Sequence, residues 1–353
     1  MTSARQPGSG IDRPDPGLSR RGTVTIRQVA AAAGVSRATA SRVISGSPLV
    51  SDSARQAVEA AVERLGFTPS PAARSLALGR SNAIALVLPE PNTRVMTDPF
   101  FAATILGLSA HLERGDAQMV LLIARSGHSS DRIVRYLRGR HVDGAVIASH
   151  HRDDTLNQRV VESGLPTVFI GRPLNVAAAS YVDMDNVGGA QQATKHLVHT
   201  GRTRIATIAG PTDMTAGIDR LAGWRSVMHD AGLPDDAVAF GDFTEQGGKV
   251  AARQLLAAHP DLDAIFAASD LMAAGALTEL ADQGRHVPED VAVIGFDNFD
   301  LSERTDPPLS TIAHPVAAMA ARAGEMLQHL LDGSDPDPQP VLFSPEIVLR
   351  KSA

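Results

Sequence analysis

The sequence has no cysteine among its 353 residues. That absence excludes disulfides, thiolate metal sites and a cysteine nucleophile. Runs of about 18 apolar residues are missing as well, so no segment is expected to span a membrane. There is no apolar h-region near the N-terminus, so export by a signal peptide is not expected and the expected location is cytoplasmic. Catalytic signatures are also wanting: no Gly-x-Gly-x-x-Gly, P-loop, His-Glu-x-x-His or Gly-x-Ser-x-Gly is found. His196 and His199, spaced i and i+3, have no third histidine or carboxylate nearby and read as a wet helix face rather than a metal site. Asp183 and Asp185 resemble a paired-carboxylate site, but Asp185 precedes a Gly-rich helix start and reads as a cap. No catalytic residue, metal or cofactor is therefore expected. Trp224 is the single tryptophan and reads as helix packing.

What is present is a long chain with 43% hydrophobic residues, enough for two to three domains with sizeable cores. The formal net charge of −6 is unevenly divided. Arg20–Arg80 holds nine arginines against Asp52, Glu59 and Glu63, a surplus of +6, while the first nineteen residues cancel and the remainder carries −12. A basic head on an acidic body points to an anionic polymer as the partner of the head alone.

Met1–Gly22, rich in Pro, Gly, Ser and Arg and without apolar periodicity, reads as a disordered tail. In Val24–Gly46, Ile26, Val29, Ala30 and Ala33 recur at i, i+3, i+4 and i+7 and form one face of a helix. Gly34 supplies a turn. Ser36 is a good N-cap for a second helix to about Ser45, buried through Ala40, Val43 and Ile44. Its other face offers Arg37, Ala38, Ser41 and Arg42. This is a helix-turn-helix layout, in which the second helix lies in the DNA major groove. Ser51 caps a third helix with a stripe of Ala54, Ala57, Val58, Ala61, Val62 and Leu65, ended by Gly66. In Thr68–Arg80, Pro71 suits the first turn of a short helix over Ala72–Leu78, one too short to be stable alone in water. Docking in the DNA minor groove, with Leu76 as a wedge, would stabilise it; an ordinary linker is the alternative.

From Ser81 apolar runs of strand length alternate with amphipathic helices. The runs are Ile84–Leu88, Met119–Ile123, Gly144–Ala148, Thr167–Ile170, Ile205–Ala209, Ala264–Ala268 and Val291–Phe296, and the helices include Ala102–Arg114, Gly189–Thr200 and Ala216–Ala231. Strands so continuously apolar are buried on both faces, which predicts mostly parallel sheets with helices on each side. Some 270 residues exceed one such sheet, so two lobes are expected. Leu309–Ala353 adds a strand, the helix Val316–Leu331 and a last strand near Leu342–Leu349.

The head, VTIRQVAAAAGVSRATASRVISG, and the following VSDSARQAVEAAVERLGFTPSPAARSLALGRS resemble the N-terminal part of the lactose-repressor (LacI/GalR) family of bacterial transcription regulators. DPFFAATILGLSAHLERGDAQMVL, HVDGAVIAS, VDMDNVGGAQQATKHLVHTGRTRIATIAG, DRLAGWRSVM, SDLMAAGAL and VAVIGFDNFDLSE resemble the same family in the same order, and cover almost everything to Arg350. The resemblance implies an all-α helix-turn-helix head plus an α/β two-lobed body like a periplasmic sugar-binding protein. The expected organisation is a tail at 1–22, a DNA-binding domain at 23–68, a hinge at 69–80 and an effector-binding and dimerisation domain at 81–353. Within the body the first lobe is expected at 81–179 and 312–333, the second at 180–311 and 334–353, with crossings near Ala179, Leu309–Ile312 and Gly333.

The resemblance also implies roles. Arg37 and Ala38 fall where relatives read bases, with Arg42 on the same face. An arginine bonds guanine O6 and N7 in bidentate fashion, whereas Ala38 touches only a thymine methyl. Ser36, Thr39 and Ser41 are expected as phosphate contacts or caps, and Ala73 and Leu76 as hinge contacts to the minor groove. For the effector the expected residues are Phe101, Ser149, Arg172, Arg220, Phe243, Asp270 and Asp297. Sugar hydroxyls suit Arg and Asp forks, and an apolar sugar face suits a ring. Phe101 could instead be plain core, and Arg220–Asp297 a structural ion pair. Gly171 stands where some sugar-binding relatives carry an aspartate. The implied activity is a homodimeric repressor on a palindromic operator, released by a sugar-type effector. Alternatives are a corepressor such as a purine on the same fold, or a solute-binding protein with no DNA role. Because the chain stops at Lys351-Ser352-Ala353 without a heptad helix, a dimer is expected rather than a tetramer.

Overall fold

In the first unit, each helix among the described residues starts on a hydroxyl that accepts from the backbone. The structure is a computed structural model that describes residues 24–47, 49–67, 80–123, 128–152, 155–176, 179–335 and 339–353. The tail at 1–22 and most of the hinge, with Ala73 and Leu76, lie outside the described residues. One unit ends at Ser81 and a second begins at Asn82.

Helix α1 (Ile26–Ala32) opens with a capping box. The Gln28 amide N–H bonds Thr25 Oγ1, and the Thr25 N–H donates to Gln28 Oε1 at 2.8 Å. Such reciprocal bonds satisfy two donors that a helix start otherwise leaves unpaired. Ser36 caps α2 (Arg37–Ile44) by accepting from the Thr39 N–H, and Ser51 caps α3 (Asp52–Leu65) by accepting from the Ala54 N–H. Gly34 makes the turn between α1 and α2 at φ 66°, a conformation that costs glycine little. Val29, Ala30, Ala40, Val43, Val58 and Ala61 form the core, against which Ile26, Ala33, Ile44, Val62, Leu65 and Phe67 pack half-buried. The alanines let the three helices cross closely.

The second unit holds two parallel sheets. The first has the order β11-β5-β4-β3-β1-β2 and the second β7-β6-β8-β9. Their strands are β1 (Ala83–Leu88), β2 (Gln118–Ile123), β3 (Gly144–Ala148), β4 (Thr167–Ile170), β5 (Tyr181–Met184), β6 (Ile205–Ala209), β7 (Val238–Phe240), β8 (Ala264–Ala267), β9 (Ala292–Ile294) and β11 (Val341–Phe343). Every residue of β3, β6 and β8 is buried, as strands covered on both faces require. A short antiparallel pair, β10 (Thr311–Ala313) and β12 (Glu346–Val348), joins them.

The lobe limits differ from the expected ones. Strand β5, expected in the second lobe, pairs with β4 through Phe169 and Tyr181, and β11 pairs with β5 through Val341 and Val182, so both extend the first sheet. The chain therefore leaves the first sheet after Met184 rather than near Ala179; it comes back with the helix Val316–Asp332, which packs on β3, β4 and β5, and leaves again only after β11, past Gly333. The physical reason is the ladder: the short apolar segments at 181–184 and 341–343 find their hydrogen bonds on the open edge of the first sheet. Strand β7 had no sequence signal that set it apart from the loop around it. Helix Val316–Asp332 packs against helix Pro99–Leu112 at Gly107, where no Cβ fits beside the Ala317 backbone.

Candidate functional site

Two surfaces follow from this fold, one in each unit. On the head, Arg37, Ala38 and Arg42 are exposed along α2, while Thr39 and Ser41 are half-buried. Ser36 Oγ accepts from the Thr39 N–H at 3.0 Å and lies 2.9 Å from Thr39 Oγ1. Cap and hydroxyl pair thus fix the first turn, from which two guanidinium groups project. A helix N-terminus carries partial positive charge, so this face suits an anionic backbone.

In the body, the cleft lies at the carboxyl ends of the parallel strands, the position at which open α/β sheets bind ligands. Ser149 and His150 follow β3, Gly171 and Arg172 follow β4, and Asp183 belongs to β5; from the second lobe come Met214, Thr215, Arg220, Phe243, Ser269 and Asp297. Arg94, Asp98, Phe100, Asn186 and His314 complete the wall. Ser149, Phe243 and Asp297 have φ of 63°, 62° and 121°. Non-glycine residues held at such angles mark positions that the surroundings over-determine, and such positions gather at ligand sites.

Charge in the cleft is arranged around Arg220. Its guanidinium is buried, with Nε donating to Asn186 Oδ1 at 2.9 Å, Nη1 to the Ala268 carbonyl at 2.6 Å, and Nη1 3.5 Å from Asp297 Oδ1. It lies over the Phe296 ring, 3.6 Å from the centroid. Burial lowers its pKa, which the nearby Asp297, Asp183 and Asp270 oppose. His314 Nδ1 sits 3.1 Å from the same Asp297 oxygen. Asp98 is pushed up to about 6 by burial, against a bond from the Phe100 N–H and with repulsion from Asp297. Asp183 is raised by burial too, although the Arg172 and Met184 N–H groups bond it.

The lobes touch at the cleft through polar bonds. His151 Nδ1 lies 2.7 Å from Asp213 Oδ2 in the second lobe, and its Nε2 lies 3.0 Å from Glu90 Oε1 in the first. Bonds to Glu90 raise its pKa to about 9, against burial and with help from Asp213. Glu90 is buried, which favours its neutral form, yet His151, Arg94 and Ser149 together hold its pKa below the ordinary value. Nearby, Arg172 Nη2 donates to Asp219 at 2.8 Å, and Thr215 Oγ1 donates to the Arg172 carbonyl at 2.6 Å.

Ser149, Arg172, Arg220, Phe243 and Asp297, all expected from sequence, are brought together in this cleft. Two others are corrected. Phe101 is 0% exposed in the first-lobe core, and its neighbour Phe100 faces the cleft instead. Adjacent helical residues point about 100° apart, so only one of the two rings can do so. Asp270 is also 0% exposed; it lies beneath the wall rather than at its mouth, accepting from Thr311 Oγ1 at 2.6 Å and the Phe299 N–H at 3.0 Å. Ser269 and Leu271 line the cleft on either side of it. Sequence reasoning missed Arg94, Asp98, Asn186 and His314. Asp98 caps the helix Pro99–Leu112 through the Phe100 N–H. His150 lines the cleft as well. Trp224 is buried in the core, and Asp185 caps its helix through the Gly188 N–H at 2.8 Å. No cluster of three or more His, Cys, Asp or Glu that could hold a metal exists among the described residues. Nor is any described helix long and apolar enough to cross a membrane.

Comparison with known proteins matches a family to each unit. Residues 25–70 match the family of bacterial regulatory proteins termed lacI, and residues 194–353 match the periplasmic binding protein-like domain. The HTH-type transcriptional regulator CelR of Thermobifida fusca is 44% identical over 339 residues, 95% of this chain and 100% of that protein. A solved structure titled as a transcriptional regulator CelR–cellobiose complex superposes with a TM-score of 0.76 at 43% identity, covering 94% of this chain and 100% of the other. The lac repressor dimer bound to operator and the anti-inducer ONPF gives a TM-score of 0.82 at 26% identity, with 93% and 98% covered.

Proposed function

The chain belongs to the LacI family of bacterial regulatory proteins, and on that premise we propose that it represses carbohydrate-utilisation genes and leaves its operator when a sugar fills the cleft. The carrying observation is the chemistry of that cleft. Guanidinium and carboxylate groups from both lobes converge with the Phe100 and Phe243 rings, as a polyhydroxylated ligand with one apolar face requires. The relative solved with cellobiose makes a β-linked glucose disaccharide the first effector to test. As in the lac repressor dimer, two copies present two heads to a palindromic operator. Arg37 and Arg42 read bases, Ala38 meets a thymine methyl, Ser36, Thr39 and Ser41 fix the helix on phosphates, and Ala73 and Leu76 belong to a minor-groove hinge at 69–80. Such a protein works on DNA in the cytoplasm and catalyses nothing.

Release follows from differential affinity. An effector that prefers one lobe arrangement shifts the population toward it, and binding of the effector and of DNA are then linked reciprocally. The test is a gel-shift titration of the full-length protein on operator-containing DNA, with and without cellobiose, other sugars and purines. Loss of DNA binding with a sugar is expected. Tighter binding with a purine would make the protein a corepressor-dependent regulator, and the absence of any salt-sensitive DNA affinity would overturn the whole reading.

A further inference from the structure

His150 is tethered at one ring nitrogen and unused at the other. It follows β3, is 7% exposed and lines the cleft. Its Nε2 lies 2.9 Å from the Gly171 carbonyl oxygen. A carbonyl only accepts, so Nε2 carries the proton, and in a neutral ring Nδ1 is left with a lone pair. Burial lowers the pKa to about 4, against the Gly171 bond and with the His151 charge adding to it, so the ring is neutral at ordinary pH. Its orientation is fixed twice over. Phe169 meets the ring edge-on with centroids 5.5 Å apart, and Gly171 leaves room where a Cβ would lie 3.4 Å from Nε2.

Nδ1 itself is buried and has no protein partner. Leaving such an acceptor unmet carries a desolvation cost, which a ligand donor recovers. The same cleft holds the converse group. Arg94 Nε is a buried donor without a hydrogen-bond partner, 3.9 Å from Asp98 Oδ2, while Arg94 Nη1 is engaged by Glu90 at 2.8 Å. An anion would satisfy only the donor, and an ammonium only the acceptor. Hydroxyl groups satisfy both.

We infer that His150 Nδ1 accepts a hydrogen bond from one hydroxyl of the effector and is a specificity-determining residue of the cleft. This rests on the sugar reading of the same site and goes beyond it by naming the atom and the polarity of the contact. A ligand with an acceptor or a bare carbon at that point is selected against. Arg94 supplies the complementary donor to another oxygen.

The experiment is isothermal titration calorimetry on the full-length protein with cellobiose, maltose, xylobiose and lactose. The tightest binder is then compared with its monodeoxy derivatives. His150→Gln retains an amide able to reach Gly171 but has no acceptor at the Nδ1 position; His150→Asn is the second variant, and a cooperative thermal transition shows each to be folded. The wild type is expected to lose tenfold or more on removal of one particular hydroxyl. His150→Gln should bind the parent sugar 10- to 100-fold more weakly and be indifferent to that same hydroxyl. If both variants follow the wild type for every derivative, the His150 assignment is overturned while the sugar reading stands. If the wild type binds none of the four sugars, both fall.

Discussion

Arg37 and Arg220 carry the same guanidinium into opposite surroundings. Arg37 is exposed on the first turn of α2, free to reach a base edge, whereas Arg220 is buried under a ring and three hydrogen-bonding partners. On the proposed function the first would read bases and the second belong to a preformed wall. Replacing Arg37 by Ala is expected to flatten the preference at one base pair per half-site, removing about 1–3 kcal/mol of discrimination. Binding to a set of single-base operator variants measures this; equal weakening on every variant would make Arg37 a phosphate contact. Residue by residue, the sequence showed chemistry better than direction. Arg220, Phe243 and Asp297 were legible as cleft residues through the family resemblance rather than from their own types. Phe100 and Phe101 were not separable, since both are apolar and only the helix rotation decides which one is buried. Asp270 misled for a similar reason: its neighbours Ser269 and Leu271 face the cleft, while its own carboxylate turns inward to Thr311 and the Phe299 backbone.

Among the elements, those with a long period or a strong cap could be read directly. The head helices announce themselves through the period of Ile26, Val29, Ala30 and Ala33 and the caps Ser36 and Ser51, and the fully buried strands through unbroken apolar runs. Strands β5 and β7 are only four and three residues long, and segments so short owe their conformation to a neighbouring ladder rather than to their own composition. The lobe crossings were misplaced for that reason. Helix-on-helix packing gives a sharper test at this scale. Gly107 lies where the helix Pro99–Leu112 meets the helix Val316–Asp332, and the atoms in the way of a Cβ belong to the Ala317 backbone, which cannot rotate aside. Gly107→Ala is expected to cost about 1–3 kcal/mol, since overpacking forces the two helices apart. Gly115→Ala, whose nearest neighbour would be the Leu112 carbonyl at 3.9 Å, is the control and should be tolerated. Urea denaturation of the full-length protein reads both; equal midpoints would show that the helix pair has slack.

Across the whole body, the two lobes meet through contacts of different pH sensitivity. Arg172–Asp219 and Thr215 to the Arg172 carbonyl join the lobes without a histidine, but His151 bridges Glu90 and Asp213 as a cation. The groups around it are those two carboxylates, the Arg94 guanidinium bonded to Glu90, and the neutral ring of His150. Its pKa rises from 6.5 to about 9 on folding, so the bridge contributes fully below 6.5 and is lost as pH climbs through about 9. Because the His151 side chain is 28% exposed, solvent screening reduces its contribution to about 1–2 kcal/mol. His151→Gln should therefore melt below the wild type at pH 6 and converge with it near pH 9.5, the remaining interlobe bonds being common to both proteins. A difference that stayed constant over this range would assign His151 a packing role instead. Convergence would mean that the apposition of the lobes, on which any effector must act, is itself biased by a proton shared between two carboxylates on opposite sides of the cleft.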